Sequence, residues 1–201
     1  MGGYLALLEH GHDPLTPAQQ KALAGARRAQ QSLVEALDDL RRLTTSWQAE
    51  HDPLTWIALP LLGDEVRRLA TARHLPLTLE AASAVSVPRR GRDIALADAI
   101  VTVCEAVARE HGVDVMATAA AEGSAVVWRL RPVGTTSESD TRHDQFDLWR
   151  PGLGVRLVAA ASTIAASHGT LTDVRRGDER CGVDIAFDLQ AARPPVPPEL
   201  C

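Results

Sequence analysis

A heptad repeat between residues 16 and 47 constrains the fold of this chain more than any other sequence feature. Thr16 precedes Pro17 and Gln19, the arrangement of a capping box with proline in the first turn of a helix. A heptad repeat lets a helix bury one stripe of side chains, its seam, against other helices in a left-handed bundle. Mostly apolar residues form the seam at alternating gaps of three and four: Leu23, Ala26, Gln30, Leu33, Leu37, Leu40, Thr44 and Trp47.

A shorter apolar segment at residues 3–10 precedes this helix, and the turn sequence GHDP separates the two. We predict that residues 1–48 form a helical hairpin whose first arm is short. Short helices are marginal in isolation, and this hairpin has few apolar residues to bury within itself. We therefore expect two copies of the chain to pair as a homodimer with a four-helix bundle.

The pattern after residues 48–53 changes from one long helix to short mixed segments. This order of elements indicates an α+β fold, with an α/β sandwich at residues 53–192 and a proline-rich tail at 193–201. A polar loop is expected at 134–148. Periodicity and turn residues predict helices at 56–71, 94–111 and 154–168, and strands at 75–81, 84–88, 113–120, 125–133, 170–176 and 183–189.

Composition and charge argue against several classes of function. A net charge of −5 does not suit a nucleic-acid surface, which needs clustered lysine and arginine. Cys104, Cys181 and Cys201 are far apart and lack metal-ligand spacing, so we expect no metal site and no disulfide framework. No apolar run approaches the roughly 20 residues that cross a bilayer, and no export signal begins the sequence. We expect a cytoplasmic protein with no nucleic-acid partner and no membrane insertion.

The order of these elements resembles the core of a bacterial sensor histidine kinase. The segment LTPAQQKALAGARRAQQSLVEALDDLRRL is similar to the second dimerisation helix of that family. The segment GLGVRLVAAASTIAASHGTLTDV is similar to its glycine box, helix and following strand. The resemblance implies a dimerising hairpin that carries a phospho-accepting histidine, followed by a sandwich domain that binds ATP and Mg²⁺. It also implies the receiver domain of a response regulator as a partner.

The family's nucleotide-binding residues are largely replaced in this sequence. Aligning LADAIVTVCEAVAREHG with the long helix of the family puts Thr102 and Ala106 where its two asparagines stand. Mg²⁺ requires oxygen ligands, which Ala106 lacks, and Glu105 projects about 100° away around the helix. In RLRPVGTT, Pro132 replaces the aspartate that accepts the adenine amino group, and only Gly134 remains. We therefore expect no nucleotide cofactor, with ATP and Mg²⁺ possible only if other residues serve.

Three glycines are the candidate residues of a remnant nucleotide site: Gly134, Gly152 and Gly154. The last two leave backbone N–H groups free at a helix N-terminus, which suits an anion. The alternative is that they form only the sharp turn that packs the helix onto the sheet. The degeneracy of the other two motifs favours this structural interpretation.

The resemblance places the phospho-accepting histidine ahead of Gly3, upstream of the first residue of this sequence. Within the sequence, His12 is the candidate acceptor, because an acidic residue and later Thr-Pro follow it in HDPLTP. Pro14 fits poorly inside a helix, however, and the segment lies at a turn. These features favour a solvent-exposed turn histidine over a phospho-acceptor.

Three functions remain open. The first is a protein with a degenerate ATP site that docks a response regulator or relays phosphate to it, similar to the kinase-like histidine phosphotransferases. The second is an active ATP-dependent kinase core, and the third is a non-catalytic dimeric scaffold. Whether the chain is an enzyme therefore stays open among these three functions.

Overall fold

The structure is a computed structural model, and it describes residues 16–49, 51–81, 85–134, 154–177 and 179–190. The chain divides into two compact units, residues 1–41 and 42–201. Several predicted features lie outside the described residues: the first helix at 3–10, His12, Gly152, the polar loop beyond Gly134 and the tail at 193–201. The domain boundary at residues 48–53 stays a prediction.

Helix α1 (Pro17–Ala49) is the long helix that the heptad repeat predicts. The backbone N–H and the hydroxyl of Thr16 donate to Oε1 of Gln19 at 2.8 and 2.9 Å, which confirms the capping box at its start. The seam is largely open to solvent, since Leu33, Leu37 and Leu40 are 62%, 65% and 54% exposed.

The second unit is built around a five-stranded mixed sheet. The strands of this unit are β1 (Thr55–Ala58), β2 (Leu77–Ala81), β3 (Ser86–Arg89), β4 (Asp114–Glu122), β5 (Ala125–Val133), β6 (Gly169–Arg176) and β7 (Glu179–Asp188). The strand order of the large sheet is β2-β4-β5-β7-β6, and β2 runs parallel to β4 while the other neighbours are antiparallel. A separate two-stranded antiparallel sheet pairs β1 with β3.

Three helices cover one face of the large sheet: α2 (Leu59–Ala72), α3 (Asp93–His111) and α4 (Gly154–Ala166). Alternate strand residues face them, so that Trp128, Ile185 and Phe187 are fully buried in one continuous core with apolar side chains of the helices. Helix α3 packs against both α2 and α4. This arrangement is the α+β sandwich that the sequence predicts, with α3 in the middle of the helical layer.

The first strand of the structure corrects one prediction. Residues 56–58 were predicted as helix, but they form strand β1, in which Trp56 lies opposite Pro88. The helix begins instead at Leu59, and Pro60 lies in its first turn. A proline there loses no helical hydrogen bond, because the first N–H groups of a helix have no partner within it.

Two further boundaries differ because of local backbone geometry. The helix predicted to reach His168 ends at Ala166, since His168 adopts a left-handed φ of 55°. The hairpin turn predicted around GDERCG is tighter, because β7 already begins at Glu179. A register shift between Val174 and Arg175 accommodates the extra paired residues.

Candidate functional site

Helix α3 carries a polar stripe on the side opposite its core face. Asp98, Thr102, Glu105 and Arg109 follow one another at gaps of four, three and four, which aligns them along one face of the helix. The opposite face is fully buried in the core: Leu96, Ile100, Val103 and Val107. The resemblance aligns two positions of this helix with asparagines. Thr102 belongs to the polar stripe, whereas Ala106 does not and is fully buried.

Arg73, just after α2, engages the first half of this stripe. Its guanidinium is ion-paired with Asp98 and donates to the Thr102 hydroxyl at 3.2 Å, while that hydroxyl donates to the backbone carbonyl of Asp98 at 2.8 Å. Burial lowers the pKa of Arg73, the Asp98 charge opposes this shift, and the nearby charge of Arg156 adds to it. The Thr102 hydroxyl therefore already makes two hydrogen bonds, one with Arg73 after α2 and one with the backbone of α3.

Glu105 lies among three arginines, Arg73, Arg109 and Arg156, which we call the arginine cage. Arg109, one turn further along α3, is ion-paired with Glu105. The Oε2 atom of Glu105 lies 3.8 Å from Arg73 Nη1 and 3.7 Å from Nη2 of Arg156 in α4. The Glu105 side chain is 14% exposed. Among the described residues, Oε2 makes these ionic contacts but accepts no hydrogen bond. One carboxylate therefore joins all three helices of the layer.

The remaining predicted positions lie at separate points of the fold. Ala106 is fully buried and supplies no ligand atom. Pro132 lies near the end of β5, opposite Val115, and the exposed Gly134 follows with a φ of 111°. Gly154 is buried at the first residue of α4. Whether these glycines belong to a remnant nucleotide site stays a prediction.

A cleft of about 340 Å³ opens beside the arginine cage. The cleft was not predicted from the sequence, because its walls come from the segment after α2, the second half of α3 and the residues that lead into β4. The Glu105–Arg109 spacing of four residues was the one local signal for part of it. The lining residues are Arg73, His74, Leu75, Pro76, Glu105, Ala108, Arg109, Gly112, Val113 and Asp114.

Comparison with known proteins gives structural likeness only. No protein-family model and no curated protein sequence matches the chain. The Acinetobacter baumannii histidine kinase AdeS is 16% identical, with 94% of this chain and 92% of that chain covered at a TM-score of 0.56. The chain has the fold of a histidine kinase core. Full-length ShkA in complex with AMPPNP is 19% identical, with 92% of this chain and 41% of that chain covered at a TM-score of 0.62.

The histidine-kinase fold confirms the predicted order of a long helix followed by an α/β sandwich. The polar stripe lies on α3, the helix that the resemblance in sequence aligns with the long helix of that family. None of the helices in the described part of the chain is long and apolar enough to cross a membrane. Within the same residues, no three His, Cys, Asp or Glu side chains are grouped so that they could hold a metal ion.

Proposed function

We propose that this chain is a two-component signalling protein whose histidine-kinase-like sandwich does not use ATP. In this proposal it acts as a docking or phosphotransfer adaptor for the receiver domain of a response regulator, and it works as a homodimer. The observation that carries the proposal concerns two side chains of α3. Glu105 is ion-paired with the arginine cage, and the buried Ala106 has no atom that could bind a metal.

The contacts along α3 oppose the binding of Mg²⁺ and of a nucleotide that depends on this metal. Mg²⁺ takes near-octahedral oxygen coordination, so each missing oxygen ligand must be replaced by another group. Thr102 already accepts from Arg73 and donates to the backbone of Asp98. Recruiting Glu105 to a metal would remove a largely buried carboxylate from three guanidinium groups, and breaking such pairs is costly. A nucleotide would have to displace these contacts before it gained any of its own.

Binding of Mg-ATP by the full chain tests the first half of the proposal. A ligand at 100 times its Kd stabilises a protein by about 2.7 kcal/mol, which thermal unfolding detects easily. We expect no saturable rise in melting temperature with Mg-ATP beyond the effect of MgCl2 at equal ionic strength. A saturable rise specific to the nucleotide would show an active ATP site and favour a kinase core.

Phosphotransfer tests the second half. The full chain is mixed with a panel of receiver domains that carry radiolabelled aspartyl phosphate. For at least one receiver, we expect either acid-labile label on the chain or complex formation by calorimetry. The variant His12→Gln decides whether His12 is the acceptor. An absence of both label and binding across the panel would contradict the adaptor role.

A non-catalytic dimeric scaffold is the second candidate function, because Gly154 is buried where α4 begins and suits a packing role. The receiver panel separates the two functions. A scaffold binds no receiver domain and accepts no phosphate, yet still forms a dimer.

A further inference from the structure

The arginine cage holds an internal anion. Its three guanidinium groups come from the end of α2, from α3 and from the first turn of α4, and all lie within ion-pairing distance of Glu105. Asp98 compensates Arg73 on the far side, and Asp114 and His74 are the other ionisable groups at the cleft. Neutralising Glu105 would remove the one carboxylate that all three guanidinium groups share, so the local charge would become more positive.

The cage is also accessible. Arg73 and Arg109 line the cleft of about 340 Å³ together with Glu105. Arg109 is 51% exposed, whereas Arg73 is 18% exposed and Arg156 is 21% exposed. A ligand that enters the cleft can therefore reach an exposed cation at the rim, Arg109, and a largely desolvated one behind it, Arg73. Desolvated arginine forks bind phosphate-type oxyanions strongly and with two hydrogen bonds each.

From this arrangement, we infer that the cleft is a binding site for a small multivalent oxyanion, such as phosphate or pyrophosphate, and that Glu105 competes with this ligand for Arg73 and Arg109. The inference rests on the proposed absence of nucleotide from this face of α3. The carboxylate keeps the site closed to weak anions, because an incoming oxyanion must displace Glu105 from the cage. The ligand needs no Mg²⁺, since arginines supply the positive charge.

Pyrophosphate binding to the full chain without divalent metal tests the inference. We expect Glu105→Gln, which keeps the shape of the side chain and removes its charge, to bind pyrophosphate at least tenfold more tightly than the unsubstituted chain. The double variant Glu105→Gln with Arg73→Gln should lose this gain. Calorimetry at constant ionic strength measures each affinity, and inorganic phosphate is titrated in parallel as the smaller oxyanion.

Glu122 supplies the matched control, since it is ion-paired with Arg129 on the sheet, away from the cleft residues. Glu122→Gln also removes one negative charge but should leave pyrophosphate affinity unchanged. Equal affinities of Glu105→Gln and the unsubstituted chain would overturn the inference, and so would an equal gain in Glu122→Gln. If Glu105→Gln does not fold, Glu105→Asp serves instead. The shorter side chain of aspartate moves the carboxylate away from the arginines, and we expect pyrophosphate affinity to rise at least threefold.

The two proposals fail differently. Binding of Mg-ATP to the unsubstituted chain would contradict the proposed function. If Glu105→Gln shows no rise in pyrophosphate affinity, only the oxyanion site is contradicted. The adaptor role is tested separately by the panel of receiver domains.

Discussion

Residues of α3 serve two purposes according to the side of the helix on which they lie. The core face is fully apolar, while the opposite face holds the ion pairs that connect α2, α3 and α4. Ala106 belongs to the buried set although the family resemblance aligns it with a metal-binding asparagine. Its small size allows close packing where a larger polar side chain would need a hydrogen-bond partner.

Restoring an asparagine at position 106 should therefore harm the protein without recovering nucleotide binding. We expect Ala106→Asn to lower the free energy of unfolding by about 1–3 kcal/mol, the cost of a buried amide that lacks a partner. Ala108→Asn is the matched control, because Ala108 is half-buried on the same helix and lines the open cleft. Urea denaturation of both variants measures the difference. Equal stability, or Mg-ATP binding by Ala106→Asn, would show that this position faces a ligand site.

Cys104 offers a chemical test of the same core. The side chain is fully buried, and burial raises the pKa of its thiol to about 12. Since only the thiolate reacts with alkylating agents, we expect Cys104 to resist iodoacetamide at pH 8 at least 100-fold more than it does in urea. Partly exposed Cys181 serves as the internal comparison. Mass spectrometry of peptides quantifies both sites, and rapid modification of native Cys104 would contradict the packing.

At the level of secondary-structure elements, the hairpin of β6 and β7 depends on close approach to β5. Gly182 has a φ of 147°, and a Cβ at this position would lie 2.3 Å from the carbonyl oxygen of Leu130. The guanidinium of Arg131 passes beside this glycine and donates to the Val183 carbonyl at 3.1 Å and to Asp184 at 2.6 Å. The contact leaves no room for a side chain.

Replacing Gly182 should consequently disrupt the sheet. We expect Gly182→Ala to cost about 3 kcal/mol or more, because backbone strain and a backbone clash act together. Gly177→Ala is the control: Gly177 also has a positive φ, 63°, but among the described residues nothing lies within 4 Å of its added Cβ. That variant should lose only about 1–2 kcal/mol. Denaturant midpoints of the two variants test the contrast, and similar losses would rule out the clash.

A buried ion cluster fastens the same hairpin to the end of α3. Arg180, 7% exposed, donates to Asp173 at 2.8 Å and to both oxygens of Glu110 at 2.8 and 2.9 Å. The hydrogen bond from Arg180 is the main cause that lowers the pKa of Asp173. Stability from a carboxyl whose pKa is depressed on folding is present above its unfolded pKa of about 3.9 and is lost as pH falls through the folded value.

Acid titration should reveal this contribution. Between pH 5 and pH 3, we expect the melting temperature of the unsubstituted chain to fall more steeply than that of Asp173→Asn, which has no carboxyl to protonate at this position. Asp64→Asn, at an exposed i,i+3 pair on α2, is the control and should follow the unsubstituted chain. Parallel curves for all three proteins would show that the Arg180–Asp173 pair contributes nothing to acid stability.

For the whole molecule, the exposed seam of α1 supports the proposed homodimer. A row of large apolar side chains that stays open to solvent is typical of a helix that packs against another in an assembly. We expect Leu37→Glu to weaken self-association at least tenfold, because it buries a charge in the seam. Ala24→Glu, on the opposite and exposed face of α1, should have little effect. Light scattering over a concentration series measures the masses, and an unchanged mass for Leu37→Glu would contradict this interface.

Much of the fold was predictable because its signals are local and periodic. The heptad repeat predicts α1, and alternation predicts the β4–β5 hairpin within one or two residues at each end. Strand β1 escaped prediction, because its four residues depend on pairing with β3, which lies far along the chain. For the candidate site, the one local signal in the sequence was the four-residue spacing of Glu105 and Arg109. The loss of oxygen-bearing side chains at Ala106 and Pro132 stays a prediction from the resemblance.

The long capped helix, the mixed sandwich and the apolar face of α3 can be read from the amino-acid order, since hydrophobic spacing encodes each of these locally. What covers the polar face of α3 depends instead on how the helices pack. Arg73 follows α2 and Arg156 lies in α4, and the two meet at Glu105 because α2 and α4 both pack on α3. Ion pairs between residues so distant in sequence leave no periodic trace, because the fold alone brings their charges together.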